Sequence, residues 1–411
     1  MSGETHHDLV VVGAGPAGSA TALGALAVDP TLRVLLLDRA DFPRDKSCGD
    51  GVAPHVLDAL GEVGVTGLLD DWTPVARLRL SRDGLAVDRA MVRPTWVVPR
   101  RVLDARLVEA AQAAGARLQR ARVKGVSAGA TRAVVTTADG DELTAAVAVG
   151  ADGAHSVVRR ALGLAPGPMA LALRGYAPVV PGTEGAQVIV FGGHAQPAYA
   201  WSFDRGDGLA NVGYGELLPG GDRPPTSKQR LRERLDELLP GSAEGGTDWL
   251  GHHLPLSRPR WRPTPGRVLL AGDAAGLVNP MTGEGIYDAV ATGIAAGRAA
   301  AHAVRAGEPA SAGRRYARTP GPALPRHLRH IAAAAALSRS GRVLDAGLRA
   351  AVRDQRLFDD LVELGLAHGR ITARVAGGLA TQLAGGLVAD LRGAPRTHAT
   401  PRRRSPTTCA S

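Results

Sequence analysis

Apolar residues fall into short runs divided by glycine and proline, and two periods alternate along the chain. Residues 8–12, with the apolar run LVVV at 9–12, predict a buried strand, 16–28 an Ala-rich helical stretch, and 33–37 a second buried strand. Together they predict a strand–helix–strand unit. Residues 40–55, with Pro43, Gly49, Gly51 and Pro54, read as a loop. Strand-like segments at about 75–98 leave this unit, and the amphipathic pattern of 101–114 predicts a helix returning to it. Short strands are expected over 117–150, with a turn at Asp139-Gly140. From about 166 to 264, short strands alternate with Gly and Pro clusters, which predicts a mostly antiparallel sheet. Residues 267–271 predict one more buried strand. Helix follows to about 307 and again over the Ala/Leu-rich 327–390, with a proline-rich joint at 319–325.

Composition narrows the class. Hydrophobic residues make up 45% and charged residues 21%, as in globular proteins, and 411 residues suffice for two or three domains. The net charge of +10 belongs to the C-terminal quarter: residues 313–411 hold 17 arginines against 6 acidic residues, whereas 1–312 are nearly balanced. That excess reads either as a solvated helical face with a frayed tail or as attraction to anionic lipid head groups or a phosphorylated substrate. The lack of interleaved aromatics argues against nucleic acid. Cys48 and Cys409 are isolated thiols, with neither a disulfide framework nor metal-ligand spacing. No signal-peptide pattern and no apolar run of about 18–20 residues occurs. The expected location is the cytoplasm, with peripheral contact at the inner face of the cell membrane through the basic C-terminal region as an extension of that reading.

The chemistry begins at the first turn, GAGPAG (13–18). Gly13 permits the bend, Gly15 lets backbone approach a pyrophosphate, and Gly18 lets helix pack on strand, with Ala17 a further cofactor-binding candidate in the same turn. Asp38, 20 residues after Gly18, is placed to bind a ribose, with Arg39 beside it. This signal alone fits NAD, NADP or FAD. In GDAAGLVNPMTGEGI (272–286), Gly272-Asp273 ends a strand and offers a carboxylate to a sugar-chain hydroxyl. Backbone N–H groups near Gly283, Gly285 and Ile286, at a helix start, suit the electron-rich part of a flavin cofactor. VGADGAHSVVRR (149–160) sets Asp152-Gly153 at another strand end, with Ser156 and Arg159 one turn apart. Arg100, before a helix containing Asp104, falls near the flavin or its phosphates, or is a helix-start surface residue. Together these segments point to FAD.

Three segments resemble the geranylgeranyl reductase family of flavoproteins, within the group sharing the p-hydroxybenzoate hydroxylase plan. They are PRDKSCGDG (43–51), similar to a Lys-x-Cys-Gly loop over the flavin, YAWSFDRGDGLANVGYG (199–215), and 272–286. The resemblance spans about residues 8–300. Asp204 departs from it, standing where the family signature has proline, and this puts the shape of the cavity wall in question. Strand alternation sets Tyr199, Trp201 and Phe203 on one face, either as the wall for an elongated apolar ligand or as a core-packed face. Gly213 and Gly215 leave room for a ligand or flavin. Cys48, with Gly49, approaches the ring either as a proton donor or as a small buried side chain, and Asp50 and Glu284 are further polar groups near it. Cys48, Tyr199 and Trp201 are the candidate catalytic residues.

The expected fold class is α/β. A Rossmann-like FAD-binding domain (1–75, 100–165 and 265–312) carries an inserted, mostly antiparallel substrate-binding sheet (76–99 and 166–264). A C-terminal helical region (313–392) and a disordered basic tail (393–411) follow. The resemblance implies reduction of carbon–carbon double bonds in an isoprenoid chain: geranylgeranyl diphosphate, a prenylated lipid or the menaquinone side chain. With no second GxGxxG after a strand, electrons would come from transiently bound NAD(P)H or a ferredoxin-like carrier. The alternatives are an FAD-dependent monooxygenase or halogenase-like enzyme, against which Ala274-Ala275-Gly276 weighs, and a non-catalytic prenyl-binding escort of the same fold.

Overall fold

The computed structural model describes residues 6–193, 196–218, 227–319 and 323–393. The chain opens with β1 (His6–Val12), α1 (Pro16–Leu26) and β2 (Val34–Asp38). All eleven residues of α1 are buried, which its small-residue sequence PAGSATALGAL allows on every face. A loop then leads to β3 (Gly51–Val52), α2 (Pro54–Gly61) and the long hairpin β4 (Pro74–Arg82) and β5 (Leu85–Val97). The chain returns through α3 (Arg100–Ala113) to β6 (Arg117–Arg120), β7 (Val123–Ala128), β8 (Ala133–Thr137) and β9 (Glu142–Gly150), followed by the short α4 (Val157–Ala161).

The second excursion comprises β10 (Met169–Pro178), β11 (Ala186–Phe191), β12 (Ala198–Asp204), β13 (Leu209–Leu217), α5 (Lys228–Leu238) and β14 (Thr247–Pro255). Next come β15 (Val268–Leu270), α6 (Ile286–Arg305) and α7 (Ala312–Tyr316). Four helices close the described chain: α8 (Ala323–Leu337), α9 (Gly341–Arg353), α10 (Gln355–Leu366) and α11 (Ala373–Gly393).

Two sheets result. The first runs β6-β2-β1-β9 in parallel, continues antiparallel through β8 and β7, and receives β15 alongside the C-terminal half of β9. The second, of eight strands, runs β14-β10-β13-β12-β11-β4-β5-β3, antiparallel except at the parallel pair β11–β4. β3, only two residues long, ties the loop after β2 onto this second sheet through β5. α6 crosses α1 closely: a Cβ at Gly297 would lie 2.0 Å from the Thr21 carbonyl oxygen, so only glycine permits this approach.

Two expectations change. The 166–264 segment is not all strand and turn, because α5 buries Leu231 and Leu235 one helical turn apart on the outer face of the second sheet. The helical stretch 327–390 is four separate elements. One break is held by Asp354, whose carboxylate accepts the Arg356 and Leu357 N–H groups at 2.8 and 3.3 Å. The tail expected at 393–411 lies outside the described residues apart from Gly393, as does part of the 319–325 joint.

Candidate functional site

The glycine turn and the start of α1 form one end of a deep cleft. Gly13 has φ +97°, and a Cβ there would sit 2.4 Å from the Ala151 carbonyl oxygen, so β1 and β9 close on the turn. Gly18 and Gly272 lie beneath the cleft and give it shape, whereas Gly15, Ala17, Asp38 and Arg39 line it. Gly15 caps α1 with no side chain bonded to its first N–H groups, which leaves the positive helix end available to an anion. Two guanidinium groups stand over that end. Arg44 Nη2 and Arg100 Nη2 lie 3.4 and 3.7 Å from the Cβ position of Gly15. Arg100 is buried and bidentate to Asp104, at 2.7 and 2.9 Å. Burial opposes its charge, but Asp104 and other nearby anionic groups outweigh that and raise its pKa above the ordinary value. A helix N-terminus under two arginines has the chemistry of a pyrophosphate cradle. Asp38 accepts the Ala14 and Ala40 N–H groups at 2.9 and 3.0 Å, which fixes its carboxylate at the strand end.

The two Asp-Gly and Gly-Asp loops meet across the same cleft. Asp152 is occupied with the start of α4, accepting Ser156 Oγ at 2.5 Å and the Val157 N–H at 2.6 Å. Arg159 then donates to the Ala274 carbonyl at 3.2 Å, locking one loop to the other. Asp273 accepts Lys46 Nζ at 3.2 Å. Burial alone would raise the Asp273 pKa, yet Lys46 and His252 outweigh it and hold the carboxyl below its usual range. His252, partly desolvated and facing Lys46, is pushed down to about 4.

At the start of α6, Gly283, Glu284, Gly285 and Ile286 all line the cavity. The Ile286 and Tyr287 N–H groups do not point freely into it. Both donate to Glu284 Oε1, at 2.7 and 3.1 Å. Burial carries the Glu284 carboxyl up to about 7 despite these donors.

The second sheet presents the facing wall. Strand register aligns Tyr176, Asn211, Phe203, Gln187 and Leu78 in one row, and Arg174, Gly213, Trp201, Ile189 and Leu80 in the next. A third contains Ala172, Gly215, Tyr199 and Phe191. The first row is polar across Tyr176, Asn211 and Gln187, whereas the second runs from Arg174 on β10 to apolar Ile189 and Leu80 on β11 and β4. Tyr199 and Trp201 both line the cavity, and the Tyr199 hydroxyl donates to the Thr282 carbonyl. The space at Gly213 is taken by protein: the Trp201 indole lies over it, and a Cβ would come within 2.3 Å of Trp201 Cζ2. This corrects the expectation that Gly213 admits a ligand directly. Asp204 also has a different role from the one expected. Its carboxylate accepts the Gly185 and Gly206 N–H groups at 2.6 and 2.8 Å, holding two turns at the end of the strand rather than shaping the cavity wall.

The Cys48 loop rests against this wall through a buried network. Trp201 Nε1 donates to Asn211 Oδ1 at 2.8 Å, while Asn211 Nδ2 donates to the Cys48 carbonyl and Asp50 Oδ2, both at 2.9 Å. Tyr176 donates to Asp50 Oδ2 at 2.5 Å. Asp50 is fully buried in a left-handed conformation with φ 59°, and its Oδ1 has no partner. Burial pushes its carboxyl up to about 6 and also raises the Cys48 thiol. Sequence reasoning missed Arg44, Arg174, Tyr176 and Asn211. The alternation that placed Trp201 would also have placed Asn211 on its face, had the β12–β13 pairing been assigned.

Beyond Tyr199 the cavity, about 1060 Å³ in all, turns apolar. Leu78, Met91, Leu348 and Phe358 pack in one cluster where α9 and α10 cover β4 and β5. Among the described residues no group of His, Cys, Asp and Glu could hold a metal ion, and no helix is long and apolar enough to cross a membrane.

A family model described as FAD binding domain matches residues 6–312. The menaquinone reductase of Mycolicibacterium smegmatis is 34% identical over 316 residues, covering 70% of this chain and 75% of the relative. The digeranylgeranylglycerophospholipid reductase of Methanothrix thermoacetophila is 30% identical over 348 residues, covering 78% and 85%. A solved geranylgeranyl bacteriochlorophyll reductase-like protein from Thermoplasma acidophilum shares the fold with a TM-score of 0.76 at 21% identity, over 94% of this chain and 98% of that one. With the cradle, the Cys48 loop and these relatives in agreement, the chain belongs to the geranylgeranyl reductase family of FAD-dependent oxidoreductases.

Proposed function

We propose that the chain is a reductase saturating carbon–carbon double bonds of an isoprenoid chain: a prenyl diphosphate, a prenylated lipid or the menaquinone side chain. The observation that carries this is the gradient of the cavity. Its cationic end suits the FAD pyrophosphate, and it continues past Tyr199 and Trp201 into an apolar space roofed by α9 and α10. The reductase names of the relatives support the same reading.

Bound FAD, once reduced, supplies an electron pair with one hydrogen. The remaining work belongs to the protein. Gly13, Gly15 and Ala17, with Arg44 and Arg100, would hold the pyrophosphate over a turn that Gly18 lets pack closely, and Asp38, beside Arg39, would hold the ribose. Asp273 meets the sugar chain, while Gly49, Asp152, Gly272, Gly283, Gly285 and Ile286 shape the pocket around the ring. Tyr199 and Trp201 orient the alkene, with Cys48 at the edge of the same space, and the apolar roof excludes water. The electron donor is NAD(P)H binding transiently or a ferredoxin-like carrier. The substrates are lipophilic, which favours a protein acting at the inner face of the cell membrane through its basic C-terminal region.

Anaerobic incubation of reduced holoprotein with geranylgeranyl diphosphate, prenylated lipids and menaquinone tests this. Mass spectrometry should find products heavier by H2, and substrates that all stay unsaturated would overturn the reading. Substrate-stimulated NAD(P)H oxidation with product oxygen drawn from O2 would install a monooxygenase in its place.

A further inference from the structure

Saturating an alkene needs a proton as well as an electron pair, and the cavity holds several groups able to give one. They differ in reach and in acidity. The Tyr199 hydroxyl is committed to the Thr282 carbonyl, and burial drives its pKa far above the ordinary value. The Cys48 thiol is likewise weakened as an acid by burial. Asp50 is the stronger acid and also borders the cavity, but it has no exposed surface and its Oδ2 is committed to Tyr176 and Asn211.

Glu284 differs in geometry. It lies between Gly283, whose Cβ position is 3.5 Å from the Tyr199 hydroxyl, and Gly285, whose Cβ position is 3.5 Å from Asp273 Oδ1. It therefore stands where the substrate wall and the cofactor side meet. Its Oε1 is taken by the Ile286 and Tyr287 N–H groups, while the residue is part-exposed to the cavity it lines. We infer that Glu284 is the general acid of the reaction, giving its carboxyl proton to the alkene carbon that does not receive the electron pair. This rests on the reductase reading above.

The step balances. Reduced FAD, the reductant, contributes an electron pair with one hydrogen to one carbon. The second carbon gains the Glu284 proton, two C–H bonds replace the π bond, and the carboxylate left behind takes a proton from solvent. The start of α6 makes that carboxylate tolerable, because two N–H groups and the positive end of a 20-residue helix face it. The charged and titratable groups around it are Cys48 from the loop, Arg100 from α3, Tyr199 from β12 and Asp288 one turn along α6. Asp288 is buried, with its own pKa raised by burial and by Glu284. A carboxyl titrating at about 7 is matched to proton donation near neutral pH, where a buried thiol or phenol is too weak an acid.

The test uses holoprotein and Glu284→Gln, which keeps an oxygen for the helix N–H groups. FAD content should be unchanged. Single-turnover oxidation of the reduced flavin by a prenyl substrate should slow by about 100-fold or more. An infrared band of a protonated carboxyl titrating near pH 7 should be present in oxidised wild type and lost in the variant. In wild type, the single-turnover rate should fall over the same pH interval as that band, which decides the matter even if the variant does not take up FAD. Equal rates in wild type and E284Q, or a wild-type rate flat through the neutral range, would overturn the assignment while leaving the reductase reading intact. A wild type inactive on every prenyl substrate would instead overturn that reading, and the donor role with it. The infrared titration would still report whether Glu284 is the neutral-range acid.

Discussion

The Trp201 indole covers Gly213, and its Nε1 reaches across to Asn211 Oδ1 at 2.8 Å, so one aromatic side chain is held from below by a glycine and from the side by an amide. Gly213→Ala should break this arrangement, because a Cβ would also lie 2.3 Å from the Leu173 carbonyl oxygen, in backbone that cannot move aside cheaply. The expected cost is about 1–3 kcal/mol in urea unfolding, with prenyl reduction lost and FAD retained.

Asp38→Ala removes the carboxylate that accepts two backbone N–H groups at the strand end and that the ribose would meet. FAD affinity measured by fluorescence titration of apoprotein should drop by about 10- to 100-fold, the size expected for losing a charged hydrogen bond. Unchanged affinity would remove Asp38 from the ribose site.

Asp50 titrates at about 6 in the folded protein, above its value of 3.8 in a free chain. A raised carboxyl favours folding fully below the lower value, and that contribution is lost as pH rises through the upper one. Between pH 4 and 6, wild-type holoprotein should therefore lose stability relative to Asp50→Asn, by about 3 kcal/mol as an order of magnitude. Denaturant unfolding of both proteins across that interval measures it, and parallel pH curves would contradict it.

Ile189 sits in register between Trp201 and Leu80, where the wall turns apolar. Ile189→Trp should fill the cavity there, suppressing reduction of long prenyl chains more than short ones. A length series of prenyl diphosphates analysed by mass spectrometry checks the ratio.

The basic C-terminal segment accounts for the net positive charge. Deleting 393–411 should weaken sedimentation with anionic liposomes while leaving FAD content unchanged. Equal sedimentation would remove the tail from membrane contact.

Local pattern made much of this molecule legible. The apolar run before GAGPAG, the acid 20 residues later and the second Gly-Asp strand end specify a dinucleotide fold, because close backbone approach leaves few residue types possible there. The aromatic face of β12 followed from alternation alone. α5 was not legible, because a charged helix with only Leu231 and Leu235 buried carries a weak apolar signal. Nor were the breaks between α8 and α11, because the joints are only one to six residues long and no proline marks them.

By itself the sequence determined the cofactor class, the family and which loops converge on it, since glycine, aspartate and strand-end positions are set by chain geometry within a few residues. Only the tertiary structure decided how those groups act. It gave the room at Gly213 to Trp201, spent the Asp152 carboxylate on α4, and set Asp204 at turns away from the cavity. It also brought Glu284 between Tyr199 and Asp273, joining side chains from segments far apart in the chain. Such placement depends on burial and on partners contributed by other elements, and neither is written in any single stretch of residues.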